Sequence, residues 1–581
     1  MKKVLTCLFV FLSVIVILST NLKVCADEDY GGRILTIYNV EDYISNGEDG
    51  YVDIIADFEE KYNVKVNYYT YDTNETMYNQ FNLQKEGTYD LVCSSEYMLQ
   101  KMIKEELVVP IDNIEANIPN YHKYASNALR EKFRGMEVKY KGETVNLDQF
   151  VVGYMWGTVG IIYDPECSDT IQEDVKTWDV FWNPEYKDLI SIKNSLRDAF
   201  IPGLFHYYSQ DDNFQSLMKA YQEDPSEENC KKYNALLQDI FDFKLDGSSK
   251  SEEENLEKIA HVKDELISMK GNIFGFEVDS GKNDIITGKI KLNLAYSGDA
   301  VFSIDTAREE ADKYLEFYIP EDGSNNWYDG WVIPKGAKNV DLAYLFLDYL
   351  SDPENAANNM DYIGYTPFIV GDALFTLTGK WYGACDYDVN AEYLVEDEAY
   401  VIYNDELFAI IKDKPADLEV YPTNTEYFES LEYDEEATYS SGDMVSYNGK
   451  YYNYINDNDG SGDITDEDYF EEIEGYDLSY LFEGSLSEGR RAIIYAYDGS
   501  QNELETQYPS EEILARCAIM NDFGVYNDQV VIMWSQVKAY TNMTPVYVFL
   551  AIVAVLLAGL IVFYVVRKRI ITNYKKKLVK Y

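Results

Sequence analysis

The sequence predicts an α/β chain of more than one domain, with a mainly parallel sheet covered by helices. Three observations lead there. The 581 residues exceed one ordinary domain and suffice for two lobes plus an appended module. A hydrophobic content of 46% supplies ample core material. Near the N-terminal end, short apolar strands alternate with amphipathic helical stretches, which is the βαβ rhythm.

That rhythm opens with the apolar strand Ile34 to Tyr38, followed by a helix from Val52 to Tyr62 in which Ile55, Phe58 and Tyr62 recur at helical spacing. Val64, Val66 and Tyr68 alternate as a strand. Asp72 with Glu75 then forms a capping-box pattern ahead of Met77 and Phe81, and Tyr89 to Cys93 makes a third strand. In such sheets ligands sit beyond the carboxyl ends of the strands, which singles out Asn39 to Tyr43 and Ser94 to Tyr97. A second α/β stretch starts near Phe150 and runs through Gly153 to Gly157 and Gly160 to Tyr163. Asp211 to Lys270 reads as surface helices, Leu292 to Tyr296 and Trp331 to Pro334 as strands, and Leu342 to Leu350 as an amphipathic helix.

From about Phe375 to Glu505 the βα rhythm gives way to Tyr, Asp, Asn and Glu, and the texture repeats. One unit has Tyr403-Asn404 and closes with Tyr427-Phe428. The other has Tyr447-Asn448 and closes with Tyr469-Phe470. Two small β modules inserted in the second lobe are expected.

The ends carry two apolar runs. Lys2 and Lys3 precede Val4 to Leu18, and cleavage after Ala26 completes a signal-peptide pattern. Val546 to Val566 has no charge over on the order of twenty residues, enough to cross a bilayer. Arg567, Lys568, Arg569, Lys575, Lys576 and Lys577 follow, which puts the C-terminus in the cytoplasm. The expected division is a signal peptide over 1–26, a first lobe over 27–148 with a return over 328–374, and a second lobe over 149–327. An insert over 375–505, second-lobe helices over 506–542, a transmembrane helix over 543–566 and a basic tail over 567–581 complete it.

A net charge of −54, from 103 acidic and 49 basic residues, excludes a basic nucleic-acid footprint. It suits a cationic partner only where carboxylates line a cleft; otherwise it is a solvated, acidic surface. Five cysteines remain beyond the signal region, irregularly spaced and without a CxxC pair, so neither a zinc site nor a disulfide framework is expected. His122, His206 and His261 lack ligand spacing, and neither a phosphate loop nor a nucleophile elbow is present. No enzyme and no cofactor is expected.

Several stretches in order resemble the spermidine/putrescine-binding proteins, the receptors of polyamine ABC importers. They are Tyr38-Asn39-Val40-Glu41-Asp42-Tyr43, Asn74 to Tyr78, Tyr89 to Val92 with Ser95 and Tyr97, Trp178 with Trp182 to Lys187, and Ile363 to Pro367. The resemblance implies a two-lobed type II periplasmic-binding-protein fold with a ligand in the cleft, here joined by the inserted β modules and the C-terminal transmembrane helix. It implies ligand contacts at Val40, Glu41, Tyr43, Ser95, Tyr97, Ser195, Asp198, Tyr296, Trp327, Asp329, Tyr365 and Met520. Val40 and Tyr296 depart from a usual tryptophan, Ser195 from an aspartate and Met520 from a glutamine. The implied partners are a polyamine and ABC permease subunits with their ATPase.

The chemistry of the set suits such a ligand. A polyamine needs carboxylates for its ammonium groups and aromatic faces for its methylenes. Asp198 and Asp329 supply the first; Tyr97, Trp327 and Tyr365 supply the second. Trp327 and Asp329, two apart in a strand, share a face. In the insert, Asp457, Asp459, Ser461, Asp463 and Asp468 have the spacing of a calcium loop, but Asp468 is short for its position and the flanks read as β. The repeat around Gly442 to Tyr452 also resembles small chitin-binding modules, which implies a glycan partner. The alternatives are receptors for another cation or ferric ion, and a surface adhesion protein.

Overall fold

The computed structural model describes residues 30–578, apart from 279, 312, 457, 542 and 543. The signal-peptide reading lies outside these residues. In the first lobe, strands β1 (Ile34–Val40), β2 (Lys65–Tyr71) and β3 (Leu91–Ser95) run parallel, with β1 between the other two. Helices α1 (Ile54–Tyr62) and α2 (Asn74–Leu83) connect them. The N-cap of α2 is Thr73, whose side chain accepts from the Thr76 amide, which corrects the expected Asp72 box: the chain remains extended one residue further. Helix α3 (Glu96–Lys104) follows β3 directly.

Two long strands tie the lobes together. Strand β4 (Val152–Tyr163) and strand β8 (Ser324–Pro334) are antiparallel and buried along their length. One end of β8 pairs with β3, from Asp329 opposite Ser95 to Val332 opposite Val92. The far end of β4 pairs with β7 (Leu292–Tyr296). What reads in sequence as two separate apolar pieces, Gly153 to Gly157 and Gly160 to Tyr163, is therefore one strand passing from one lobe to the other. In the second lobe β7 lies parallel to β5 (Ile190–Lys193), which lies parallel to β6 (Gly275–Glu277). The path through the sheet is β2-β1-β3-β8-β4-β7-β5-β6, so the crossing pair sits at its centre.

In the second lobe, α4 (Leu196–Tyr208) starts after β5, α5 (Ser249–Met269) packs across it, and α6 (Ser297–Ala311) starts after β7. Beyond the first-lobe helices α7 (Val340–Leu350) and α8 (Pro353–Ile363), helix α9 (Asp372–Tyr382) leads into the insert. The insert's six-stranded sheet begins at Gly383 and ends at Ala496. Both repeats are three-stranded antiparallel meanders: 400–403, 406–410 and 428–430, then 444–447, 450–454 and 470–472. The insert is not an appendage of the second lobe alone. Buried Arg490 bonds Asp372 at 2.9 Å and the Thr376 hydroxyl at 2.7 Å, and Ser126 of the first lobe donates to the Leu481 carbonyl.

The chain then returns to the second lobe, where α10 (Asn527–Ala539) packs on α5. Helix α11 (Thr544–Leu578) contains Val548–Lys576, which is long and apolar enough to cross a membrane and whose apolar stretch is not buried among the described residues.

Candidate functional site

Four strand ends and the two crossing strands converge on one region. After β1 the backbone turns through Asp42, at φ 51°. The turn carries Tyr43 inward, where its carbonyl accepts from the Tyr154 hydroxyl at 2.6 Å. After β3, Ser95 and Tyr97 open α3. Asn74 fixes them from α2: its amide donates to Ser95 Oγ at 2.9 Å, and neighbouring Glu75 accepts from Tyr97 Oη at 3.1 Å. After β5, Ser195 caps α4 and Asp198 lies in its first turn. Tyr296 ends β7, and Asp299 follows in the first turn of α6.

Trp327 and Asp329 come from β8 at the crossing. The register against β4 slips between Tyr328 and Gly330, a bulge that re-aims Asp329. Opposite Trp327 lies Gly157, where any Cβ would come within 2.7 Å of the indole. At Gly298 a Cβ would meet the Tyr365 ring at 2.5 Å. Both glycines are there to admit an aromatic wall.

That wall is continuous. Tyr43 meets Tyr365 with ring centroids 5.4 Å apart, Tyr365 meets Trp327 at 5.6 Å, and Trp327 meets Tyr296 at 5.9 Å. Each of its tyrosines holds a carboxylate. Tyr43 donates to Asp329 Oδ2 at 2.8 Å, Tyr365 to Asp299 Oδ1 at 2.8 Å and Tyr296 to Asp198 Oδ2 at 2.6 Å. Asp329 and Asp198 are each 7% exposed. Burial pushes the Asp329 carboxyl up to about 6, against hydrogen bonds from Ser95 and Tyr43 that favour its charge. Its Oδ1 is buried and finds no hydrogen-bond partner among the described residues.

The structure thus brings Tyr43, Ser95, Asp198, Tyr296, Trp327, Asp329 and Tyr365 together. Glu41 stands exposed at the turn after β1, Val40 packs partly into the core, and Ser195 serves as a helix cap. Met520 is buried, and its carbonyl accepts from Arg197. Tyr97 is present but its ring is already covered, because the Arg197 guanidinium lies 3.7 Å from its centroid. Sequence reasoning missed Asp299, Lys193, Arg197 and the two glycines. A Ser-Gly-Asp run directly after a strand ending in Tyr296 was the available signal for Asp299.

The calcium reading of the insert fares differently. Among the described residues no group of three His, Cys, Asp or Glu is placed to hold a metal ion. Asp463 instead accepts from the Thr465 amide and hydroxyl within its own turn; Asp457 lies outside the described residues. The closing aromatics Phe428 and Phe470 are buried in the modules' own cores. The five cysteines beyond the signal region are free.

Comparison with known proteins gives a consistent family. Residues 53–373 match the family described as bacterial extracellular solute-binding protein. The spermidine/putrescine-binding periplasmic protein of Salmonella typhimurium is 26% identical over 345 residues, covering 59% of this chain and 80% of that protein. The putrescine-binding periplasmic protein PotF of Escherichia coli is 25% identical over 338 residues, covering 57% and 77%. Among solved structures, the spermidine/putrescine ABC transporter substrate-binding protein PotD of Streptococcus pneumoniae is 26% identical, with a TM-score of 0.40 over 60% of this chain and 85% of that one. With more than half its length matched and a pair of strands crossing between two α/β lobes, the chain belongs to the bacterial extracellular solute-binding proteins, binding proteins of type II periplasmic fold and not enzymes.

Proposed function

We propose that this chain captures a polyamine between its lobes and delivers it to an ABC permease, while α11 anchors it in the membrane with the lobes outside. The observation that carries the reading is the pair of buried carboxylates, Asp198 and Asp329, at either side of a wall of rings. Neither joins an ion pair among the described residues. A buried carboxylate is costly unless a cation meets it, and an alkyl chain bearing ammonium groups supplies both the cations and an apolar stem for the rings.

The magnitudes suffice. Hydrogen bonds to charged groups contribute about 1.5–3 kcal/mol each, and a desolvated cation-π contact about 2 kcal/mol. Micromolar binding needs about 8 kcal/mol net. Because Trp327 and Asp329 lie on the crossing strand while Ser95 and Asp198 come from opposite lobes, a bound amine would hold the lobes closed, giving a permease a shape to recognise. The similarity to proteins named for spermidine and putrescine supports the ligand class.

Isothermal titration of the full chain in nanodiscs with putrescine and spermidine tests the reading; micromolar or tighter binding of one of them is expected, and no heat with either refutes it. Removing residues 544–581 should move the protein from the membrane to the soluble fraction without loss of binding.

A further inference from the structure

The three carboxylates held by the tyrosines of the wall, Asp198, Asp299 and Asp329, are buried, and one of them already has its cation. Lys193, at the end of β5, places Nζ 2.9 Å from Asp299 Oδ2 and 3.3 Å from Glu277 Oε1, with its side chain 4% exposed. Burial works against this ammonium, but the two carboxylates more than offset it and keep it charged; Asp299 correspondingly stays ionised. The same Nζ lies 5.4 Å from the centre of the Tyr296 ring, so the chain's own ammonium stands against the aromatic wall.

A second internal cation closes the other side. Arg197 stacks on Tyr97 at 3.7 Å and on Phe523 at 4.4 Å, and it donates to the carbonyls of Met520 and, at 3.0 Å, Asn521. Main-chain acceptors hold its planar guanidinium in place. Ser195, between the two basic residues in sequence, brings no charge of its own.

Granted the polyamine reading, on which this rests, we infer that Lys193 and Arg197 are built-in cations that set the length of the ligand, so that the site takes a diamine in preference to a triamine. Two carboxylates, Asp198 and Asp329, are left for two ammonium groups, because Glu96, which is also buried, accepts from the Tyr328 amide at 2.9 Å and already has the Arg197 charge nearby. A third ammonium would need either Asp299, which Lys193 holds, or the face of Tyr97, which Arg197 covers. In either place it would meet a like charge in a desolvated site, where repulsion is strong. Selection of this kind works by rejecting the longer ligand as much as by attracting the shorter one.

Titration calorimetry of the full chain in nanodiscs with putrescine, cadaverine, spermidine and spermine tests the inference without any variant: putrescine or cadaverine should bind at least tenfold tighter than spermidine. Lys193→Met should reduce that preference tenfold or more by removing the nearer of the two cations on Asp299, at 2.9 Å against 4.0 Å for Lys282. Because it also leaves Glu277 buried without its partner and Asp299 with the more distant Lys282, at 4.0 Å, Arg197→Gln provides a second route, keeping donors for the two carbonyls while removing the charge. Each variant is first checked for a cooperative melt. Spermidine binding as tightly as putrescine, or an unchanged ratio in folded variants of both residues, overturns the inference while leaving the polyamine reading standing. Failure of all four amines to bind overturns that reading and the inference with it.

Discussion

Replacing Asp329 by asparagine removes one negative charge and leaves the shape of the side chain nearly unchanged. Burial raises this carboxyl to about 6 from an ordinary 3.8, and at about 1.4 kcal/mol per tenfold change the gap amounts to about 3 kcal/mol. The sign follows from proton uptake. Between about pH 6 and 4 the folded protein binds a proton that the unfolded chain does not, so the penalty is full above pH 6 and fades on acidification toward pH 4. Without ligand, Asp329→Asn should therefore stabilise the lobes by up to about 3 kcal/mol at pH 8, with the advantage shrinking toward pH 4. The amide oxygen still accepts from Tyr43, so little is lost from that 2.8 Å bond. Binding should move the opposite way: losing a buried, hydrogen-bonded charge partner costs about 2–5 kcal/mol, or roughly thirtyfold or more in affinity. Urea denaturation of the empty protein at pH 8 and pH 5, with calorimetric titration of putrescine at pH 8, measures both. A variant that is less stable at pH 8, or binds as tightly as the parent, would refute the reasoning.

Three further outcomes are expected. Putrescine affinity of the parent should weaken about tenfold between pH 7 and pH 5 as Asp329 takes up its proton, and calorimetry across that range should find the dependence much reduced in Asp329→Asn. Gly298→Ala places a methyl 2.5 Å from the Tyr365 ring; displacing that ring from Asp299 should weaken binding at least tenfold while circular dichroism stays unchanged. Arg490→Ala leaves Asp372 and Asp388 without their buried partner, at a cost of about 3–5 kcal/mol. Limited proteolysis should then cut the insert sooner, with putrescine affinity within twofold of the parent's.

Much of this molecule is legible in one dimension, because its signals are local. The alternation from Ile34 to Cys93 marks strands and helices through periodicity that neighbouring residues carry between them. The uncharged run from Val546 to Val566 announces a membrane-length helix by composition alone. Asp198, Trp327, Asp329 and Tyr365 stand out because a multiply charged amine calls for carboxylates and rings, and the family motifs mark where such residues belong. The boundary at Thr73 was missed by one residue because Asp72 and Thr73 are both good caps, and the choice between them depends on where the preceding strand ends.

What only the tertiary structure decided is which of these groups face one another. Lys193 meets Asp299 across 106 residues, and Tyr43 meets Asp329 across 286; no spacing rule links partners brought together by a sheet crossing. The slip at Asp329 exists only between two paired strands, and the need for glycine at 157 and 298 only once Trp327 and Tyr365 lie against them. Residue types thus supplied the carboxylates and rings, while packing determined which carboxylates already meet a cation of the chain, because pairing energies fall off within a few ångströms and the chain's order does not record distance.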